Sequence, residues 1–204
     1  MKRATYIQSY CSICRDTISL DSRMVFSTPS EDFGDFAKKA YSFLNISYPK
    51  FFKMDALGKL AFLAAETLLN KNGGYSEDNN IALVLSNKSS SLDTDQKHQH
   101  SIADPDNYFP SPALFVNTLP NICLAEISIR HNLQTESTFF IFDAFRPSVL
   151  MHYSNYLLET QKANKVLCGW TEYYNNEYRA FLYLVSGEGN APHDEEILNT
   201  LYNK

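Results

Sequence analysis

Hydrophobic and polar positions along this chain switch between two periods. Ala4–Cys14 mixes β-branched and aromatic residues and predicts a strand. Arg15–Tyr48 is irregular, with Pro29, Gly34 and many Ser and Asp. It reads as an excursion over the surface with one short helical piece around Asp32–Phe43. From Asp55 onward Leu57, Leu60, Ala61, Ala64, Ala65 and Leu68 recur at helical spacing. Asp55 is the expected N-cap and Gly73-Gly74 the expected stop. The small residues Ala61, Ala64 and Ala65 predict that this helix lies deep against a neighbouring layer. Ile81–Ser86 is a continuous apolar run, as a strand buried on both faces requires. The polar, Ser-rich stretch that follows, through Ile102, reads as a loop.

The middle of the chain organises the rest. A Pro-punctuated segment (Pro110, Pro112, Pro120) makes an extended approach to a helix over Asn121–His131. The short apolar run Thr138–Phe142, a turn over Asp143–Pro147 and a helix from Ser148 follow. Lys165–Trp170 and Ala180–Val185 predict two more strands, and Asp194–Tyr202 a weak helix in a polar tail. Strands and helices thus alternate. That predicts an α/β domain with a mixed, mostly parallel sheet and helices on both faces. Strand, tight turn and helix is a common mount for a nucleophile, because the turn exposes one side chain and the helix N-terminus favours negative charge there. Here the turn reads Asp143-Ala144-Phe145-Arg146-Pro147. It has no Cys, and Ser148 just beyond is its nearest hydroxyl.

Composition narrows the function classes. At 204 residues and 44% hydrophobic, the chain can bury one core, read as a single domain over 1–204. A net charge of −5 and no basic stripe argue against nucleic acid as a partner. No apolar run reaches the ~18 residues of a membrane span. The N-terminus is positive but turns polar too soon for a signal peptide, so a cytoplasmic chain with reduced thiols is expected. Cys11 and Cys14 have redox or zinc spacing, but no second pair completes a site, and they read as strand residues. His98 and His100 read as solvated loop residues, so no metal and no cofactor is expected. The 13 Tyr and 14 Phe predict a large packed interior and interface surface.

Several segments, in order, resemble the N-terminal half of β-ketoacyl-ACP synthases, of the thiolase-like fold. Phe52–Ala61 is similar to the family's R-x-M-D-x-x-x-x-x-A helix start. Ile81–Ser90 is similar to its I-G-V-V-x-G-x-x strand and loop, with Ser86 and Lys88 where the family has glycines. Ser111-Pro112 through Pro120-Asn121 to His131, and Lys165–Glu172, match two further motifs. The chain also resembles short stand-alone synthase-like proteins of aryl-polyene and flexirubin-type pathways. The resemblance puts Ala144 on the Ala, Phe145 on the nucleophilic Cys and Ser148 on a following Ser of the family's T-A-C-S-S turn. Phenylalanine cannot attack a thioester. The family's two basic residues come from a second homologous half, and His193 lies in no matching motif.

The resemblance therefore implies a non-catalytic, chain-length-factor-like subunit in fatty-acid or polyketide-type elongation. Its implied partner is a ketosynthase or a second copy, met through the strand Thr138, Phe139, Phe140, Ile141 and Phe142. Acyl carrier protein is a further expected partner, with Lys50, Lys53 and Arg146 as contacts and Lys59 nearby. Two alternatives stand beside this reading. One is an acyltransferase with Ser148 or Cys168 as nucleophile, completed by a partner chain. The other is a module that binds carrier protein or an acyl ligand. A lone half of this fold is also expected to leave the Asp55–Leu69 or Ser148–Leu158 helix partly uncovered.

Overall fold

The computed structural model describes residues 4–70 and 80–204. The expected Gly73-Gly74 helix stop lies outside the described residues. The chain opens with three antiparallel strands, β1 (Tyr6–Cys14), β2 (Thr17–Leu20) and β3 (Arg23–Ser27). The turns between them, Arg15-Asp16 and Asp21-Ser22, take positive φ at both residues, the geometry that suits a two-residue hairpin. The stretch expected to wander over the surface thus begins as sheet. Four- and five-residue strands set among Ser and Asp are too short to show a clear period, and pairing with the long β1 supplies what local pattern lacks.

Helix α1 (Phe33–Phe43) follows, with the Asp32 side chain accepting from Asp35 N. It buries Phe33, Phe36, Ala37 and Ala40. A 3-10 turn at Pro49–Lys53 leads into α2 (Ala56–Leu69). Asp55 Oδ1 caps α2 by accepting from Gly58 N at 2.8 Å, and its Oδ2 accepts from Thr94 Oγ1 at 2.9 Å. The helix is buried from Leu57 to Leu68 except at the half-buried Lys59, as its small residues predict.

The remaining elements are β4 (Ile81–Asn87), α3 (Leu92–Ile102), α4 (Pro112–Val116), α5 (Ile122–His131), β5 (Ser137–Ile141), α6 (Pro147–Glu159), β6 (Lys165–Tyr174), β7 (Glu177–Ser186), β8 (Ala191–Pro192) and α7 (Glu195–Tyr202). They complete an eight-stranded mixed sheet in the order β3-β2-β1-β7-β6-β4-β5, with β8 on β1. The parallel part is confined to β4 with its neighbours β5 and β6. The other pairings are antiparallel, a larger share than the expected mostly parallel sheet. The reason is local. The strands expected over Lys165–Trp170 and Ala180–Val185 extend into one long β6–β7 hairpin through Asn175-Asn176, both at positive φ. A hairpin needs no helical crossover.

Helices cover both faces, as expected. On one face α1, α2 and α5 bury Phe36, Ala61, Leu63 and Ile127 against β1, β4 and β7. On the other, α6 and α7 bury Leu150, Leu157 and Leu198 against Val84, Cys168, Phe181 and Tyr183. Helix α2 leaves no residue exposed, whereas α6 leaves Val149 and Tyr156 exposed.

Two polar stretches correct the sequence reading. The loop expected through His98 and His100 is α3, with Asp93 and Asp95 in its first turn and an Asp93–Lys97 ion pair at 2.6 Å. Two residues apart on a helix, the two histidines point roughly 200° apart and cannot chelate one ion together. The extended approach at Asn107–Thr118 holds the short α4, with Pro112 at its first position and Ser111 Oγ accepting from Leu114 N. No residue of α4 is buried, and Tyr108, Phe109, Phe115, Val116 and Leu119 stand exposed.

Candidate functional site

The strand–turn–helix unit sits where β4 and β5 end, beside Trp170 of β6. Phe142 N donates to Asn87 O at 2.8 Å, holding the turn beside the end of β4. Pro147 takes the first helical position of α6, where its missing N–H costs nothing. Arg146 precedes it without capping the helix. Its guanidinium instead donates to Asp143 at 2.7, 3.0 and 3.1 Å. The Arg146 partner holds the Asp143 carboxyl below its ordinary range. Both side chains are exposed, so this pair shapes the turn more than it stabilises the fold.

Phe145 turns inward. Its ring stacks on Tyr202 of α7 at 4.5 Å and 26°, and meets Phe181 and Trp170 edge-on at 5.7 and 6.4 Å. The Arg179 guanidinium lies 3.8 Å from the Tyr202 ring centre and Nη2 donates to the Tyr202 carbonyl. That bond caps the end of α7 with a cation, where the helix dipole favours one. An aromatic cluster therefore fixes the turn against the end of α7. Beside it lies a cleft of about 830 Å³, walled by Asp143–Phe145, Trp170, Glu172 and Tyr202. Its rim is set by the β4–α3 loop, whose Lys88 and Ser89 N–H groups donate to Glu172 Oε2 at 2.7 and 3.1 Å. Asn87 closes that loop through Ser90. Gly169 sits beneath at φ 154°, and a Cβ there would lie 2.1 Å from Phe181 O.

The other candidate nucleophiles are not poised. Cys168 is fully buried, and burial pushes its thiol up to about 12. Ser148 is half-buried in the first turn of α6, and its carbonyl engages His152 Nδ1 at 2.6 Å. His193 does not lie in a polar tail. It is buried beside Tyr183, with Nδ1 3.3 Å from Thr5 Oγ1 and Asn155 Oδ1. Burial pushes its imidazole down to about 4, with Asp194 opposing. Cys11 is buried and Cys14 half-buried, three apart on β1 and hence on opposite sheet faces, as the strand reading requires. Among the described residues no group of three or more His, Cys, Asp or Glu could hold a metal ion.

The expected contact residues separate. Lys50 and Lys53 lie exposed on the 3-10 turn, whose Phe51 packs into the α1–α2–α5 core. Arg146 belongs to the turn whose Phe145 packs into the core across the sheet. Strand β5 is the sheet edge, paired with β4 on one side only among the described residues. Along it Phe139 packs toward α2 and α5, while Phe140 and the following Phe142 pack toward α6. Thr138 Oγ1 lies 3.2 Å from Tyr153 OH, and Ile141 is exposed. Sequence reasoning found Phe145 but missed Tyr202, Arg179 and Phe181, which hold it. Tyr202 lies in the segment that reads as a weak helix and Phe181 in the strand expected over Ala180–Val185, but nothing local pairs either with Phe145.

No family model matches the sequence, and no curated protein does. Solved structures match the fold. The ishigamide ketosynthase/chain length factor superposes with a TM-score of 0.65 at 16% identity, over 90% of this chain and 62% of that one. A chain of the ketosynthase ApeO in complex with its chain length factor ApeC, from Xenorhabdus doucetiae, gives 0.63 at 14%, over 98% and 90%. The type II polyketide synthase complex AntDE:AntF gives 0.60 at 12%, over 91% and 63%. This chain thus spans less than two thirds of the ishigamide protein it matches. With its mixed sheet between two helical layers and its strand–turn–helix at the sheet edge, the chain has the thiolase-like fold seen in these ketosynthase and chain length factor structures.

Proposed function

We propose that this chain is a non-catalytic, chain-length-factor-like subunit that pairs with a ketosynthase in carrier-protein-bound acyl chain elongation in the cytoplasm. The observation that carries this reading is Phe145. In this reading it takes the turn position expected for a nucleophile, and its ring is held by Tyr202, Phe181 and Trp170. Cys168, the thiol considered in its place, is buried, and burial raises it to about 12. Structural neighbours described as a ketosynthase with its chain length factor support the pairing.

The surface supports it too. Residues 107–125 carry no charged side chain, and Phe109, Phe115 and Leu119 in that stretch are exposed. Strand β5 leaves one edge open, with Ile141 exposed. An open edge and an uncharged apolar arm are liabilities that a partner removes. For carrier protein, which is acidic, we assign contact to Lys50 and Lys53 with the exposed Phe52 between them. Co-expression with the ketosynthase of the same host, followed by intact-mass stoichiometry, tests the reading. A one-to-one complex, with no acyl adduct on this chain after incubation with acyl carrier protein thioester, is expected. An adduct on this chain, or a dispersed monomer in the presence of the ketosynthase, overturns it.

A further inference from the structure

On the α7 side of the sheet, α6 and α7 cover β4, β6, β7 and the start of β1, where Ile7 is buried, and leave the end of β1 and β2 uncovered. The uncovered floor is not apolar. It presents Ser12 of β1 and Thr17 and Ser19 of β2, with Ser12 and Ser19 directly opposite across the pair. The other face of these strands buries Cys11, Ile13 and Ile18, so the polarity is confined to one side. Above this floor the C-terminal end of α7 forms a wall, leaving a groove of about 820 Å³.

Three cations line the groove, Arg15, Arg179 and Lys204, and no acidic side chain does among the described residues. The chain as a whole is acidic, at −5, so this grouping runs against its composition. Asp16, next to Arg15, is held by Tyr178, accepting from its hydroxyl at 2.5 Å and donating its own N–H to that oxygen at 3.0 Å, and Glu172, opposite Arg179 across the β6–β7 pair, lines the Phe145 cleft. Arg15 and Lys204 form no ion pair among the described residues. Arg179 Nε is shielded from solvent without a hydrogen-bond partner, an uncommon state for a guanidinium N–H in a folded protein. Tyr10 and Leu201 add apolar wall. Cations clustered on a hydroxyl floor beside apolar rings suit a ligand with one anionic end and one apolar end.

We propose that this groove binds a small organic anion, a phosphate ester or a carboxylate carrying an aromatic or aliphatic body. The anion lies against Arg15, Arg179 and the hydroxyl floor, and the body lies on Tyr10 and Leu201. The groove and the Phe145 cleft share Tyr178, Arg179 and Asn203 in their walls, so the ligand would sit beside the anchor of α7. This inference does not depend on pairing with a ketosynthase.

Isothermal titration of the whole chain at low salt tests it, with phenyl phosphate, benzoate and inorganic phosphate as separate probes. Arg15 and Lys204 are exposed, so Arg15→Gln and Lys204→Gln leave the fold in place, which circular dichroism checks. Saturable binding of phenyl phosphate or benzoate, weakened about tenfold by Arg15→Gln and further in the double variant, is expected. Binding should also weaken as salt rises. The stronger of the two probes tells phosphate ester from carboxylate. No saturable binding of either, equal affinity in the variants, or inorganic phosphate binding as tightly as phenyl phosphate overturns the proposal.

Discussion

The Phe145 ring lies 4.5 Å from that of Tyr202, 26° from parallel, and this contact ties the turn after β5 to the last helix. Two segments 57 positions apart thus close one aromatic cluster over Phe181 and Trp170. Phe145→Ala should lower unfolding stability by about 2 kcal/mol, less than a fully buried Phe would cost because the ring is only half-buried. Tyr202→Ala should behave alike. The double variant should fall short of the sum by about 1 kcal/mol, the usual worth of an aromatic pair. Urea denaturation of the four proteins checks this; strict additivity would mean that the rings are not coupled.

Gly169 allows one substitution test of the fold. Its φ of 154° suits glycine, and an added Cβ would meet Phe181 O at 2.1 Å and Leu182 Cα at 2.8 Å, both backbone. Gly169→Ala should cost about 3 kcal/mol or more, or leave the chain insoluble. A thermal transition within a few degrees of the parent would contradict this geometry.

Stability should depend on pH through His193. Its folded-state value, pushed to about 4 by burial, lies below that of the unfolded chain, so the unfolded state takes up the proton first. Stability is then complete above pH ~6.5 and is lost as pH falls from there toward about 4, by about 3 kcal/mol in all. His193→Gln should flatten the profile in that window. A parent protein as stable at pH 4.5 as at pH 7.5 would refute the assignment.

Cys11, Cys123 and Cys168 are buried, and burial raises all three thiols, Cys11 and Cys168 to about 12. A maleimide probe at pH 8 should leave these three unlabelled until the chain unfolds, with Cys14 the one native site open to slow reaction. Rapid labelling of Cys168 in the native protein would revive it as a nucleophile.

If β5 pairs with a ketosynthase, Ile141→Lys should abolish the complex while leaving the fold intact, since Ile141 is 48% exposed. The two readouts are the co-purified ketosynthase and the denaturation midpoint, which should stay within about 0.5 kcal/mol of the parent. An unchanged yield of complex would move the interface away from the β5 edge.

Long elements with strong local pattern were legible. The helical spacing of Leu57, Leu60, Ala64 and Leu68 and the Asp55 cap give α2 closely, because a deeply buried helix is mostly apolar along its length. The run at Ile81–Ser86 names β4 for the same reason. The turn around Phe145 was legible as a strand–turn–helix mount lacking a nucleophile. The short strands β2 and β3 were not, since each draws its stability from pairing with a neighbour, nor was the polar α3, whose acidic first turn and Asp93–Lys97 pair leave no apolar period.

By itself the sequence determined the α/β class, the buried strand and helix at the centre, and the absence of a reactive side chain at Phe145, all of which rest on local pattern or residue chemistry. Only the tertiary structure decided what occupies that place. Packing of α7 brings Tyr202, Arg179 and Phe181 onto Phe145, and folding β1 and β2 beside the end of α7 gathers Arg15, Arg179 and Lys204 into one groove. Contacts between residues far apart in sequence leave no period to read, because each side chain answers to a partner that only the folded chain supplies.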